Sequence, residues 1–86
     1  MVTREVIVKS EVGLHARPAS ALVKLAQQCK SRVLLHAQGK QVDAKSMFAV
    51  LGAGIKGGAQ IMVSAEGEDE TASLDKVCEL ITTMEN

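Results

Sequence analysis

The sequence predicts an α+β fold, a two-layer open-faced sandwich with element order βαββαβα and its helices on one face of a four-stranded sheet. Two long segments, 16–28 and 70–84, carry apolar residues at helical spacing. Four short segments rich in β-branched or alternating residues read as strands, two of them joined through Gln38-Gly39 as an antiparallel hairpin. With two amphipathic helices to cover, packing every helix against one side of the sheet is the economical way to bury both stripes.

Residues 2–8, Val-Thr-Arg-Glu-Val-Ile-Val, alternate and are β-branched, which predicts the first strand. Glu11 to Gly13 is a connector. From Ala16 the positions Ala19, Leu22, Val23, Ala26 and Cys29 recur on one face, and Pro18 falls in the first turn, where a missing N–H costs nothing. Arg32 to Ala37 and Lys40 to Asp43 are the hairpin strands, with a turn weaker than Asn-Gly because Gln resists positive φ. Ser46 is placed to cap a short helix, Met47 to Leu51, which the glycine-rich Gly52-Ala53-Gly54 ends. Gly57-Gly58 turns the chain into a strand from Gln60 to Ala65, with Ile61, Val63 and Ala65 on one face. An acidic loop, Glu66 to Glu70, leads into the last helix, whose stripe is Leu74, Val77, Cys78, Ile81 and Met84.

A chain of 86 residues suits one domain that buries about 60–65% of its unfolded surface. Hydrophobic residues make up 47%, yet there is one Phe and no Trp or Tyr, so the core is aliphatic and no aromatic platform exists for stacking bases. The net charge is zero but unevenly laid out: 17–56 holds seven basic residues and one acid, and 66–86 seven acids and one base. A basic half around a functional site would steer an acidic partner; a solvated surface with incidental bias is the alternative. Nucleic-acid binding and membrane insertion have no support, since no apolar run approaches membrane length and the N-terminus is no secretory leader. Cys29 and Cys78 read as small core residues in a reducing cytoplasm, with a disulfide between them left open.

The run Gly13-Leu14-His15-Ala16-Arg17-Pro18-Ala19 sets a histidine where a strand connector meets a helix start. Unpaired N–H groups and the positive end of the peptide dipole favour an anion there, and a neutral imidazole can act as a nucleophile. His15 thus reads as a phosphorylatable histidine or, more plainly, as a polar residue at a helix end. Arg17 is a phosphate partner or an exposed first-turn residue that the dipole disfavours. Gly13 allows either close approach to a phosphate or an ordinary turn. Met47, Phe48 and Leu51, at i, i+1 and i+4, cannot all face one core, so a docking patch and partial burial compete. His15, His36, Cys29 and Cys78 lack any paired ligand spacing, so neither a metal site nor a cofactor is expected, and His36 is expected to be exposed on its strand.

Three motifs in order, Gly13–Ala19, Lys45-Ser46-Met47 and Ala65–Glu70, closely resemble HPr, the phosphocarrier family of the bacterial sugar phosphotransferase system, over nearly the whole chain. The resemblance implies strand order 1-4-2-3 and one such domain over 1–86. It implies that His15 accepts a phosphoryl group on Nδ1 from phosphorylated enzyme I and passes it to IIA units of sugar permeases. Arg17 and the backbone N–H groups of Ala16 and Arg17 would bind the phosphoryl oxygens, and Ser20, Lys24, Met47, Phe48 and Leu51 would form the docking rim. The expected protein is a monomeric cytoplasmic relay without cofactor, not a stand-alone enzyme. Ser46 is both a helix cap and, by the resemblance, a regulatory phosphorylation site, with a kinase/phosphorylase and a transcriptional regulator as further partners.

Val12, Gln38 and Ala53 depart from common family residues, without touching His15, Arg17 or Pro18. The competing reading is a regulatory paralogue acting mainly through Ser46 and partner docking. A purely structural role leaves the placement of His15, Arg17 and Pro18 unexplained.

Overall fold

The structure, a computed structural model, describes residues 1–9, 13–14 and 16–83. The elements are β1 (Val2–Ile7), α1 (Ala16–Gln28), β2 (Arg32–Ala37), β3 (Lys40–Asp43), α2 (Met47–Gly52), β4 (Gln60–Glu66) and α3 (Glu70–Thr83). The four strands form one antiparallel sheet in the order β1-β4-β2-β3. His15, Glu11, Val12 and Met84, to which the sequence assigned a role or a place, lie outside the described residues.

One sheet face carries the core. Val6 of β1, Val33 and Leu35 of β2, and Ile61, Val63 and Ala65 of β4 are buried, as strand alternation requires. Against them lie Ala19, Leu22, Val23 and Ala26 of α1, Val50 of α2, and Leu74, Val77, Cys78 and Ile81 of α3. The register sets Val2 opposite Ala65 and Val33 opposite Ala65, so β4 joins its neighbours through small and β-branched side chains. α3 packs against β1 and β4, and the Arg4 guanidinium reaches Asp75 Oδ1 at 2.7 Å, tying the edge strand to that helix.

Several details refine the sequence reading. The first strand stops at Ile7, but Val8 continues its bonding by donating to the Ala59 carbonyl at 3.0 Å and accepting from Gly58 N–H at 2.9 Å. Gln38 and Gly39 both take positive φ, 53° and 76°, as a type I′ hairpin turn demands. Both cysteines are buried free thiols, and burial pushes the Cys78 thiol above its ordinary value. His36 is half-buried on the open face of the sheet, where its Nε2 is 3.0 Å from the Ser64 hydroxyl, and not simply exposed.

Candidate functional site at the start of α1

The approach to α1 is fixed by backbone packing. Gly13 has φ +78°, and a Cβ there would collide with the Ile55 carbonyl oxygen and lie 2.8 Å from Lys56 Cα and 2.9 Å from Gly57 N. The space glycine leaves is therefore filled by the chain after α2; close approach to a phosphate is not what Gly13 is needed for. Leu14 donates its N–H to the Ile55 carbonyl at 3.0 Å, and both its side chain and that of Ile55 are buried. Little in the order of residues hints at this support. Its only trace is a single apolar residue, Ile55, set among four glycines between Gly52 and Gly58.

Immediately past this anchor α1 begins. Ala16 and Arg17 are exposed, and Pro18 and Ala19 are buried, so the proline rings the helix start into the core while Arg17 remains in solvent. The first turn of α1 contains no acidic residue, so no carboxylate of that turn competes for the N–H groups of Ala16 and Arg17. Arg17 and Lys24 are exposed and Ser20 is half-buried. Their spacing of three, four and seven residues puts them along one stripe of the helix.

α2 packs beside α1. Gln27 near the end of α1 donates to the Lys45 carbonyl at 3.0 Å, and Lys45 Nζ donates to the Cys29 carbonyl at 2.9 Å. At the other end, Ile55 meets Leu14. The two helices consequently run antiparallel, with Ser46 beside the finish of α1 and the chain after Gly52 beside its start. Ser46 caps α2, its hydroxyl accepting from Ala49 N–H at 3.2 Å with extended backbone angles. Phe48 is 83% exposed and Leu51 42%, three residues apart and so on one side, whereas Met47 is partly buried against the core. The apolar trio divides as its spacing predicts.

Among the described residues no three His, Cys, Asp or Glu side chains gather as metal ligands, and no helix is long and apolar enough to cross a membrane. His36 faces the open side of the sheet through its bond to Ser64, while Cys29 and Cys78 lie in the core.

The family model for the PTS HPr component phosphorylation site matches residues 2–83. Phosphocarrier protein HPr of Borreliella burgdorferi is 40% identical over 81 residues, covering 94% of both chains. The crystal structure of HPr-C-His from Thermoanaerobacter tengcongensis superposes with a TM-score of 0.91 at 33% identity, covering 94% of this chain and 91% of that one. The phosphocarrier protein HPr from Bacillus anthracis str. Ames gives 0.90 at 30% identity, over 93% and 95% of the two chains. A family match across the whole sheet and all three helices, with the histidine motif falling at the start of α1, leaves one conclusion: the chain belongs to the HPr family of phosphocarrier proteins of the phosphotransferase system.

Proposed function

We propose that this protein is a single-domain cytoplasmic relay, monomeric in its working state, that takes a phosphoryl group from phosphorylated enzyme I onto His15 and gives it to IIA units of sugar permeases. The observation that carries this reading is the start of α1, where Arg17 is exposed, the first turn lacks acids, and Leu14 is locked to Ile55 immediately before the motif histidine. A neutral ring nitrogen of His15, Nδ1 by family resemblance, attacks phosphorus with its lone pair. The bond from phosphorus to the donor breaks, and its electron pair returns to the donor atom. One bond is made and one lost, so the relay holds the group without hydrolysing it. In-line approach needs both proteins, each supplying one nucleophile, which is why the carrier alone turns nothing over.

The phosphoryl oxygens fall to the N–H groups of Ala16 and Arg17 and to the Arg17 guanidinium, a planar fork suited to two oxygens at once. Ser20 and Lys24 on α1, with Phe48, Leu51 and the exposed part of Met47 on α2, form the docking rim. A Met and aromatic patch beside cations suits short-lived contact with several partners.

Incubation with phosphoenolpyruvate, Mg²⁺ and enzyme I should add one acid-labile phosphate, and His15→Ala should abolish it with an unchanged circular dichroism spectrum. Arg17→Lys should slow labelling and Arg17→Glu slow it far more, with little change in melting temperature. Acid-labile labelling of the His15→Ala protein would overturn the assignment, and equal rates for the three residues at 17 would remove Arg17 from the site.

A further inference from the structure

A lysine just before α2 holds the end of α1. Lys45 Nζ donates to the Cys29 carbonyl at 2.9 Å, and the Lys45 carbonyl accepts from Gln27 Nε2 at 3.0 Å, so two bonds of opposite sense cross between the helices. α1 has no basic residue in its own last turn, where carbonyls lack helical partners and the dipole favours a cation. Lys45 supplies that cation from another element. Its backbone is fixed as well: its N–H donates to Asp43 Oδ1 at 2.9 Å, and the preceding Ala44 is buried with its N–H on the Val33 carbonyl at 3.0 Å. The side chain is thus a strut from a sheet-anchored loop to the end of α1.

The size of α2 gives the strut its purpose. α2 has six residues, and Val50 is its one buried residue, with Met47 packed partly against the core. A helix this short does not persist alone in water, and so few apolar contacts leave its rotation about its own axis weakly set. Directional bonds at its two ends supply what packing does not. Phe48 and Leu51 are exposed on its outer side, so a roll of α2 would swing both relative to Ser20 and Lys24 on α1.

We propose that Lys45 is a positioning residue of the docking surface: through the Cys29 carbonyl it fixes the roll of α2, and with it the setting of Phe48 and Leu51 against the α1 stripe. The proposal rests on that surface being where the phosphoryl donor docks. Lys45 forms and breaks no bond in the transfer, and its ammonium is committed to a carbonyl, so its effect is geometric. A displaced patch weakens the docked and the reacting pair alike, which raises KM and leaves kcat largely alone.

The test measures initial rates of acid-labile labelling by phosphorylated enzyme I against carrier concentration, well below the melting temperature of each protein. It compares wild type, Lys45→Met, Lys45→Arg and Lys76→Met, the last removing an exposed lysine of α3. Lys45→Met should raise KM roughly three- to tenfold with kcat within about twofold, and the rise should persist at about 0.3 M salt, where the field of a lone charge is screened within several ångströms. Lys45→Arg, which keeps a donor for the Cys29 carbonyl, should restore KM, and Lys76→Met should match wild type. A second measurement needs no partner: amide hydrogen exchange at Val50 in α2 should quicken at least about fivefold in Lys45→Met while exchange at Val63 in β4 stays level, the mark of a local loosening. An unchanged KM, a defect that closes with salt, or unchanged exchange at Val50 would overturn the positioning role. Quickened exchange at Val50 in a protein whose wild type takes no label would instead overturn the carrier reading and leave the strut standing.

Discussion

Ser31 gives Asp69 both its backbone N–H, at 2.8 Å, and its hydroxyl, and the neighbouring Lys30 N–H adds a third bond at 3.0 Å. This one carboxylate clamps the α1–β2 connection to the start of α3, joining parts of the chain nearly forty residues apart. The Ser31 hydroxyl above all, then the Lys30 N–H, holds the Asp69 carboxyl far below the usual carboxylate range.

A depressed folded-state pKa means that the stabilisation is complete above the unfolded pKa near 3.9 and is lost as pH falls toward the folded value. Glu70 is shifted the same way, chiefly by a hydrogen bond from the N-terminal ammonium. The urea midpoint of the wild type should accordingly be level above about pH 5 and fall steadily between about pH 4 and pH 2. Asp69→Asn should have a lower midpoint at pH 7 and a shallower fall in that acid window. Parallel curves for the two proteins would show that the clamp contributes nothing through its charge.

Gly13 and Gly54 both take positive φ, +78° and +63°, but only Gly13 is pressed against backbone, while a Cβ on Gly54 meets nothing within 4 Å. Gly54→Ala should cost about 1 kcal/mol, the price of a left-handed residue alone. Gly13→Ala adds the collision with Ile55 and should cost about 2–4 kcal/mol, read from denaturant unfolding. Because it also displaces Leu14, it should slow labelling of His15 under conditions where the variant remains folded. Equal costs at the two positions would mean that the Ile55–Gly57 platform yields freely.

Gln38 occupies a left-handed position, φ 53°, in the β2–β3 turn. Asn tolerates that geometry better than Gln, so Gln38→Asn should stabilise the protein by about 0.5–1 kcal/mol without altering transfer. Loss of stability on this change would show that the Gln38 side chain makes contacts that outweigh its backbone strain.

Periodicity was enough to locate α1, α3, β2 and β4, because each buries one face, whereas β3 has no buried residue and is legible only from the Gln38-Gly39 turn before it. Leu22 and Val23 in α1, Val63 in β4 and Ile81 in α3 are all buried where their spacing puts them. The cap at Ser46 and the division of Met47 from Phe48 follow from local rules as well. What the pattern did not contain is contact between distant segments. The Asp69 clamp on Ser31, the Ile55 support beneath Gly13 and the His36–Ser64 pair each join residues with no shared period. The strand order likewise came from resemblance to a family, since an alternating strand does not say which neighbour it will pair with.

Ser46 stands at the start of α2, beside the finish of α1 and one short helix away from the Ile55 support. Six residues of helix span about 9 Å, close to the screening length at 0.1 M salt. Asp caps helices about as well as Ser, and a negative charge is favoured at a helix N-terminus, so Ser46→Asp should leave stability within about 0.5 kcal/mol of wild type. The added charge lies on the side of the molecule that we expect an acidic enzyme I to approach. Ser46→Asp should then slow phosphorylation of His15 at low salt through weaker association, and the defect should shrink as salt rises. A regulatory phosphate would act through the same field with about twice the charge. Wild-type transfer kinetics for Ser46→Asp at low ionic strength would leave Ser46 as a helix cap and nothing more.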